Sequence, residues 1–374
     1  MKGEIQGVKN TSLLQEWQTN EVYYAAANSA DGFRSYFQDI FGKTEHLYIL
    51  KGGPGTGKSR FMEEAAVAAE KKGFAVERFR CSSDPDSLDG ILIPEKGIGI
   101  LDGTAPHMTD PKYPGAAEEI VNLGGFWDTA KLKARREIIQ TQIDEKGRLY
   151  DRALKLIHLA GSLRREQIDM MQQMANTKKL DRTVAKLLAA AQGAHRSTRR
   201  PKEPGKISLR LMEAIGMKGR VRFTSLEAKA KTIYRLPAFF GGESILLQKL
   251  LAAAKEKGLS FTYSLSPLLP EIPDAIFFPE TALLVIAGGE NAAGKNDHPI
   301  NLKRFFDVPR VDALRAQRPL LRYLAKEEDA LLHGAELILE KVRALHFATE
   351  QIYISAMDFE AKEKFTKEFL GYML

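Results

Sequence analysis

A glycine-rich stretch near residue 55 combines the residue types that bind phosphate. The stretch follows the pattern G-x-x-x-x-G-K-S, and its candidate nucleotide ligands are Gly52, Gly53, Pro54, Gly55, Thr56, Gly57, Lys58, Ser59 and Arg60. Glycines allow backbone N–H groups to turn inward around a phosphate, and the positive end of a following helix adds to them. We expect Lys58 to reach the β- and γ-phosphates of a nucleotide and the Ser59 hydroxyl to ligate Mg²⁺.

The flanking residues predict the elements that position this loop. An apolar run at residues 47–50 predicts a buried strand before it, and the Ala- and Glu-rich residues 61–72 predict a helix after it. Strand, glycine loop and helix are the context in which the pattern is specific for phosphate. A chance glycine turn that ends in lysine is the alternative, and this context argues against it.

A carboxylate follows a second apolar run, because residues 98–101 predict a strand and Asp102 ends it. An aspartate at such a strand end beside a phosphate loop is the Walker B arrangement, in which the carboxylate holds Mg²⁺, commonly through water. We therefore predict that Ser59 and Asp102 hold Mg²⁺ and that Lys58 and Asp102 are catalytic. The alternative role of Asp102 is to cap a turn. Gly103, and not glutamate, comes next, which indicates slow hydrolysis or a base elsewhere.

Two further groups are candidate bases. His107 follows Asp102 in a loop that leaves the edge where open parallel sheets bind ligands. It is a candidate to orient water, contact phosphate or accept a proton, although a structural hydrogen bond is the commoner role of such a histidine. Asp86, together with Asp84 and Asp89, is the second candidate, and turn or helix capping is the commoner role of such aspartates.

Composition limits the class of protein. The chain has 374 residues, of which 44% are hydrophobic and 28% charged, enough for two or three domains with ample core. A net charge of +7 suits anionic ligands and does not by itself indicate nucleic acid. The single cysteine, Cys81, excludes an internal disulfide and favours a reducing compartment. With no signal-peptide pattern and no membrane-spanning run, we expect a cytoplasmic protein.

The order of predicted elements indicates an α/β fold. Strands separated by crossovers predict a parallel sheet with helices on both faces. Long helical runs follow at residues 129–195, and a basic, proline-containing linker at 195–205 divides the chain into residues 1–200 and 205–374.

The second part reads as a degraded copy of the first at an offset of 185 residues. Equivalent positions keep their residue type in Gly57 and Gly242, Ser59 and Ser244, Pro85 and Pro270, Asp89 and Asp274, and Gly103 and Gly288. Lys58, however, is replaced by Glu243, and Asp102 by Ala287. A carboxylate in place of the lysine repels a triphosphate, so we predict that the second half keeps the α/β fold without binding nucleotide.

On GGPGTGKS and the strand that ends at Asp102, the first half resembles the P-loop NTPase superfamily. On CSSDPDSLDG, DGTAPH and DPKYPGA the whole chain resembles a family of bacterial proteins with two tandem P-loop domains, often labelled ATPases or nucleotide kinases. The resemblance implies two related three-layer α/β/α halves with parallel sheets, each followed by a helical segment. It implies ATP binding at residues 52–59 and supplies no further substrate.

These observations predict an ATP-binding protein that hydrolyses ATP with Mg²⁺ at one site in the first half. One alternative is a nucleotide or small-molecule kinase, with an aspartate of residues 84–89 or His107 as base. Another is a non-catalytic, ATP-dependent switch whose helical segments bind a protein partner. The absence of a guanine-specific N/T-K-x-D motif favours ATP over GTP. A transition-state arginine is expected, and Arg60, Arg34 and the arginines of the helical segments all qualify; the oligomeric state stays open.

Overall fold

The computed structural model describes residues 21–105, 108–193, 205–288, 296–306 and 311–374, with the backbone alone for residues 311–314. The candidate base His107, the first 20 residues and most of the predicted linker lie outside these ranges. None of the described helices carries an apolar run of the length needed to traverse a lipid bilayer.

Both parts of the chain are built from short strands followed by long helices. The strands of the first half are β1 (Glu21–Tyr24), β2 (Ala26–Ser29), β3 (Gly32–Ser35), β4 (His46–Lys51), β5 (Glu77–Arg80), β6 (Leu88–Ile93), β7 (Ile98–Asp102) and β8 (Glu118–Asn122). Its helices are α1 (Phe37–Phe41), α2 (Lys58–Lys71), α3 (Thr129–Ala134), α4 (Arg136–Gln173) and α5 (Thr177–Gln192).

The second half repeats this order. Its strands are β9 (Ile207–Leu209), β10 (Glu213–Gly216), β11 (Gly219–Arg222), β12 (Thr232–Leu236), β13 (Phe261–Leu265), β14 (Pro273–Phe278), β15 (Leu283–Ala287) and β16 (Asp297–Pro299). Its helices are α6 (Ser225–Lys229), α7 (Gly242–Glu256), α8 (Lys303–Phe306), α9 (Val311–Ile354) and α10 (Phe359–Met373).

Each half forms one six-stranded mixed sheet. The strand orders are β1-β5-β6-β7-β4-β8 and β9-β13-β14-β15-β12-β16, with β6 and β14 antiparallel to both of their neighbours and the remaining pairs parallel. The predicted all-parallel sheets are therefore wrong. A tight turn, in which the Ser87 N–H donates to the Asp84 carbonyl, returns the chain directly into β6, and an antiparallel pair needs no longer connection.

The two sheets face each other across a shared core. Alternate residues of β4 point to opposite sides: Leu47 and Ile49 join an apolar cluster that also contains Phe277 and Ile286 of the second sheet. Leu50 instead joins the cluster beneath α2. The long helices thus lie on the outer faces only. The inner faces of both sheets share one cluster, to which the short helices α1 and α6 add Phe41 and Leu226, so the expectation of a separate α/β/α sandwich in each half is wrong.

The outer helices are exchanged between the halves. Helix α5, from the first half, lies on α7 of the second, where Lys249 Nζ donates to Asp181 Oδ1 at 2.8 Å. Helix α10, from the second half, lies on the first sheet, where the Phe369 ring is 5.0 Å from that of Tyr48 and 5.4 Å from that of Phe61. The long helices α4 and α9 run antiparallel between these two docking sites.

A pseudo-two-fold relation connects the halves. The offset of 185 recurs in the strand register, because Glu77 pairs with Leu92 as Thr262 pairs with Phe277. Leu211 is the counterpart of Tyr24 in the second half. The two residues form an antiparallel backbone bridge, in which the Tyr24 N–H donates to the Leu211 carbonyl at 2.8 Å. Contact between equivalent residues is what a two-fold axis produces.

The offset changes by one residue at the phosphate-loop position. Leu50 pairs with Asp102 in the first sheet, whereas Leu236 pairs with Ala287 in the second. The loop of the second half is therefore one residue shorter, and the ungapped alignment begins only after it. The αL residue before the helix is Gly57 in the first half and Gly241 in the second, one residue nearer the strand than the offset of 185 places it, so α7 begins one residue earlier than α2 does.

Candidate phosphate site

The loop between β4 and α2 depends on its glycines. Gly52, Gly55 and Gly57 have φ angles of +149°, +72° and +79°, values that residues with a Cβ adopt only under strain. A Cβ at Gly55 would also lie 3.0 Å from the carbonyl oxygen of Glu350. The strand and helix predicted around the loop are present, with α2 beginning at Lys58.

Lys58 is buried at the centre of the loop, with 9% of its side chain exposed. Its ammonium donates to the carbonyl oxygens of Gly52 at 2.8 Å and Gly53 at 2.9 Å. A carboxylate oxygen of Asp102 lies 3.5 Å from the same nitrogen. The predicted pair, Lys58 and Asp102, therefore meets at the loop.

Asp102 reaches the loop because β7 lies directly beside β4 in parallel register. Its Oδ1 accepts hydrogen bonds from the Thr104 N–H at 2.9 Å and the Thr104 hydroxyl at 2.6 Å, which leaves Oδ2 toward Lys58. Gly103 follows because a Cβ there would lie 2.3 Å from the Ile49 Cγ2. The glutamate that many motor-type ATPases carry at this position would require the Ile49 side chain to move.

Ser59 connects the loop to the aspartate-rich turn. Its hydroxyl oxygen accepts a hydrogen bond from the Leu88 N–H at 3.0 Å. Asp84, at 6% exposure, lies in this turn on the same side of the sheet. Ser59 and Asp102 are the residues that would hold Mg²⁺, since this ion takes one or two protein oxygens and completes its shell with phosphate and water. The described residues contain no cluster of three or more His, Cys, Asp or Glu side chains suited to a metal ion.

Other candidates point elsewhere. The Asp86 carboxylate pairs with Lys218 of the second half, and the Arg60 guanidinium pairs with Glu64 at 2.9 Å and with Glu363 at 3.0 Å. Arg60 is 66% exposed on α2. A third candidate, the Arg34 side chain, lies on the β2–β3 hairpin and pairs with Asp31.

The end of α9 covers the loop with groups that sequence reasoning missed. Glu350 lies beside Gly55, where its Cγ would be 3.3 Å from a Cβ on that glycine, and the Gly55 N–H acts to lower the pKa of the Glu350 carboxyl. One turn further, the Tyr353 ring lies 5.5 Å from that of Trp127, and a Cβ at Gly53 would touch both rings. Residues 346–354 carry no local pattern that marks them as part of a site, because the fold alone brings them there.

Charged groups of the first-half loop and of the end of α9 shift one another's pKa values. Burial raises the pKa of Glu350, with Asp84 adding to the shift and Lys58 opposing it. Burial also lowers the pKa of His346, as do Lys146 and Lys58, against the effect of Asp84. The loop and the end of α9 thus form one electrostatic cluster.

The equivalent loop of the second half is filled by its own side chains. The Glu243 carboxylate accepts a hydrogen bond from the Phe239 N–H at 2.9 Å and pairs with Arg164 of α4 at 3.2 Å. The Phe239 ring packs on Phe306 at 5.8 Å and on Phe240 at 5.7 Å. Apolar rings and a paired carboxylate stand where the first half has glycines and a lysine.

Comparison with known proteins adds no relative: no family model matches the chain, and no curated protein or solved structure is significantly similar to it.

Proposed function

We propose that the chain binds ATP together with Mg²⁺ at residues 52–59 and hydrolyses it slowly. The approach of Lys58 to Asp102, 3.5 Å apart beside a loop of positive-φ glycines, is the observation that carries the proposal. These groups fit the phosphates and the metal ion of a nucleoside triphosphate. The preference for ATP over GTP rests on the sequence.

Each group of the loop has its own role in the proposed reaction. Lys58 exchanges the carbonyls of Gly52 and Gly53 for phosphate oxygens, and with the loop amides it stabilises charge on the γ-phosphate in the transition state. Ser59 and Asp102 would hold Mg²⁺, which would supply further positive charge there. Hydrolysis is slow because glycine, and not a residue that can act as a base, follows Asp102.

The second half contributes no nucleotide site of its own. Its loop amide at Phe239 already donates to Glu243, and aromatic rings occupy the loop. We therefore expect one nucleotide per chain.

Binding and turnover by the full-length protein test the proposal. We expect calorimetry to give one MgATP per chain and phosphate release without any added acceptor. Lys58→Ala should weaken MgATP binding about a hundredfold, because charge-assisted hydrogen bonds to two phosphates are lost. Lys72→Ala, at the exposed end of the same helix, is the matched control and should bind normally.

Asp102→Asn separates metal binding from phosphate binding. We expect it to lower phosphate release strongly while ATP affinity in the absence of Mg²⁺ stays close to that of the wild type. A wild-type protein that binds no nucleotide, or a Lys58→Ala variant that binds as well as the wild type, would contradict the proposal.

A nucleotide-dependent switch is the second candidate, favoured by the contact of Glu350 and Tyr353 with the loop. A triphosphate at the Gly55 N–H would compete with the Glu350 carboxylate beside it, and the end of α9 would move in response. Tight binding without turnover, alone or with a panel of hydroxyl and phosphate acceptors, would favour the switch. Turnover only with one acceptor would favour a kinase instead.

A further inference from the structure

The exchanged helices α5 and α10 are equivalent down to single residues. The Asn176 N–H donates to the Phe305 carbonyl at 2.7 Å, and the Asp358 N–H donates to the Phe126 carbonyl at 2.9 Å. Each of these two side chains caps its helix by accepting the N–H three residues ahead, at 3.0 Å in both cases. Counting from the caps aligns the two helices without ambiguity.

This alignment places a lysine opposite a leucine. The fourth residue after the cap is Leu180 in α5 and Lys362 in α10, and both are buried, at 0% and 1% exposure. Leu180 lies in the apolar core of the second half. Lys362 lies at the phosphate loop of the first half, where its Cε and Nζ are 3.5 and 3.6 Å from the position of a Cβ on Gly57.

The Lys362 ammonium has no partner among the described residues. No hydrogen bond or ion pair joins it to them, although Glu64 and Glu363 act on it from a distance. Burial lowers the pKa of Lys362, and Arg60 adds to this shift. A buried charge without a partner costs on the order of several kcal/mol. The second half avoids that cost with leucine, so packing alone does not require the lysine.

We propose that Lys362 is a phosphate ligand, supplied by the second half to the nucleotide site of the first. The inference rests on the proposed function and names the group that completes it. Lys58 enters the loop from the start of α2, and Lys362 comes from α10 beside Gly57, so two ammonium groups from different halves meet one polyphosphate. Arg60, by contrast, already pairs with Glu64 and Glu363.

The proposal also gives the second half a function. Its own loop no longer fits a phosphate, yet it supplies a cation that the first half lacks in its own sequence. One half carries the glycine loop and the other carries the lysine, so the two halves together form a single composite site.

Substitution by the residue of the equivalent helix tests the role of Lys362 in the full-length protein. Lys362→Leu should keep or raise the melting temperature without ligand, because an unpaired buried charge is removed. The melting-temperature increase caused by MgATP should fall, and the affinity for MgATP and for Mg-tripolyphosphate should drop about tenfold to a hundredfold. Lys362→Arg should retain most of this binding. Lys364→Leu, at an exposed position of the same helix, is the matched control and should bind like the wild type.

The outcomes separate this inference from the proposed function. Equal MgATP affinity of wild type and Lys362→Leu would overturn the role of Lys362 and leave the nucleotide site standing. Binding of tripolyphosphate, but not ATP, that depends on Lys362 would support the inference and overturn the proposed function. Binding of neither ligand by the wild type would overturn both. Should Lys362→Leu fail to fold, Lys362→Met replaces it, because methionine is an unbranched side chain of similar length. The expected results are the same.

Discussion

Opposite charges meet at the loop from both ends of the chain. Lys58 approaches Asp102 within the first half, while Glu350 lies beside Gly55 and Lys362 beside Gly57, both from the second half. For the proposed triphosphate Glu350 would be unfavourable, since its carboxylate is an anion next to the loop amides. A single side chain can therefore limit affinity.

Glu350→Gln should bind MgATP more tightly than the wild type. The substitution keeps size and polarity and removes one negative charge, worth about 1 kcal/mol near the surface or roughly a three- to tenfold gain in affinity. Calorimetric titration at constant salt measures it. Glu340→Gln, exposed on the same helix, should leave affinity unchanged. Weaker binding by Glu350→Gln would show that the carboxylate assists the nucleotide.

The sequence predicts those site residues that belong to a motif of neighbouring residues, and it does not predict those that reach the site through the fold. Lys58 and Asp102 were predictable because a strand, a turn and a helix within one short segment define the loop, and a parallel neighbour ends beside it. Glu350 and Lys362 lie on ordinary amphipathic helices, and their charges resemble those of any solvated face. Only the docking of α9 and α10 on the first half turns them into site residues.

At the scale of elements, the sequence predicted the strands and helices better than it predicted how they are connected and which strands pair. The strand over 98–102 has the predicted bounds, whereas β6 and β8 begin in stretches whose aspartates, prolines and glycines are typical of loops. Helix propensity also predicted helical segments after each sheet. Which sheet a helix covers depends on contacts across the molecule, and amphipathic spacing does not contain that information.

A buried ion pair joins the long helices α4 and α9. Glu328 of α9, at 2% exposure, accepts hydrogen bonds from Arg164 at 2.7 Å and from Gln167 at 2.7 Å, both on α4. Arg164 also pairs with Glu243 of α7. The pair therefore joins a helix of the first half to two helices of the second.

Arg164→Met should destabilise the protein by about 3 kcal/mol, because it leaves Glu328 buried without its cation. Arg165→Met removes the next arginine, whose partners Asp31 and Glu271 are closer to solvent, and should cost about 1 kcal/mol or less. Urea denaturation of the two variants measures the difference. Equal losses would mean that the buried pair adds nothing beyond a surface contact.

At the scale of the whole molecule, neither half of the sequence forms its core from its own residues alone. Helix α5 completes the core over the second sheet, and α10 completes the core over the first. Removing either half would expose the apolar face that the exchanged helix covers. An isolated half is for this reason a poor test of either half's binding properties.

Nucleotide should therefore protect both sheets. Ligand at a hundred times its dissociation constant stabilises the native state by about 2.7 kcal/mol. Because the two sheets share one core, we expect amides of β15 to open only with the whole molecule and so to exchange roughly a hundredfold more slowly when MgATP is bound at the first-half loop. Hydrogen exchange read by mass spectrometry measures this, with Lys58→Ala as control. Protection confined to residues 21–128 would show that the halves unfold separately.

The docking of α10 on the first sheet also sets an order of events during translation. The glycine loop leaves the ribosome early, whereas Glu350 and Lys362 are synthesised long after it. A nascent chain, or one shortened by a premature stop codon, carries the loop without the helix that covers it. If Lys362 has the proposed role, we expect the full affinity for nucleotide only in a chain whose translation has passed residue 362.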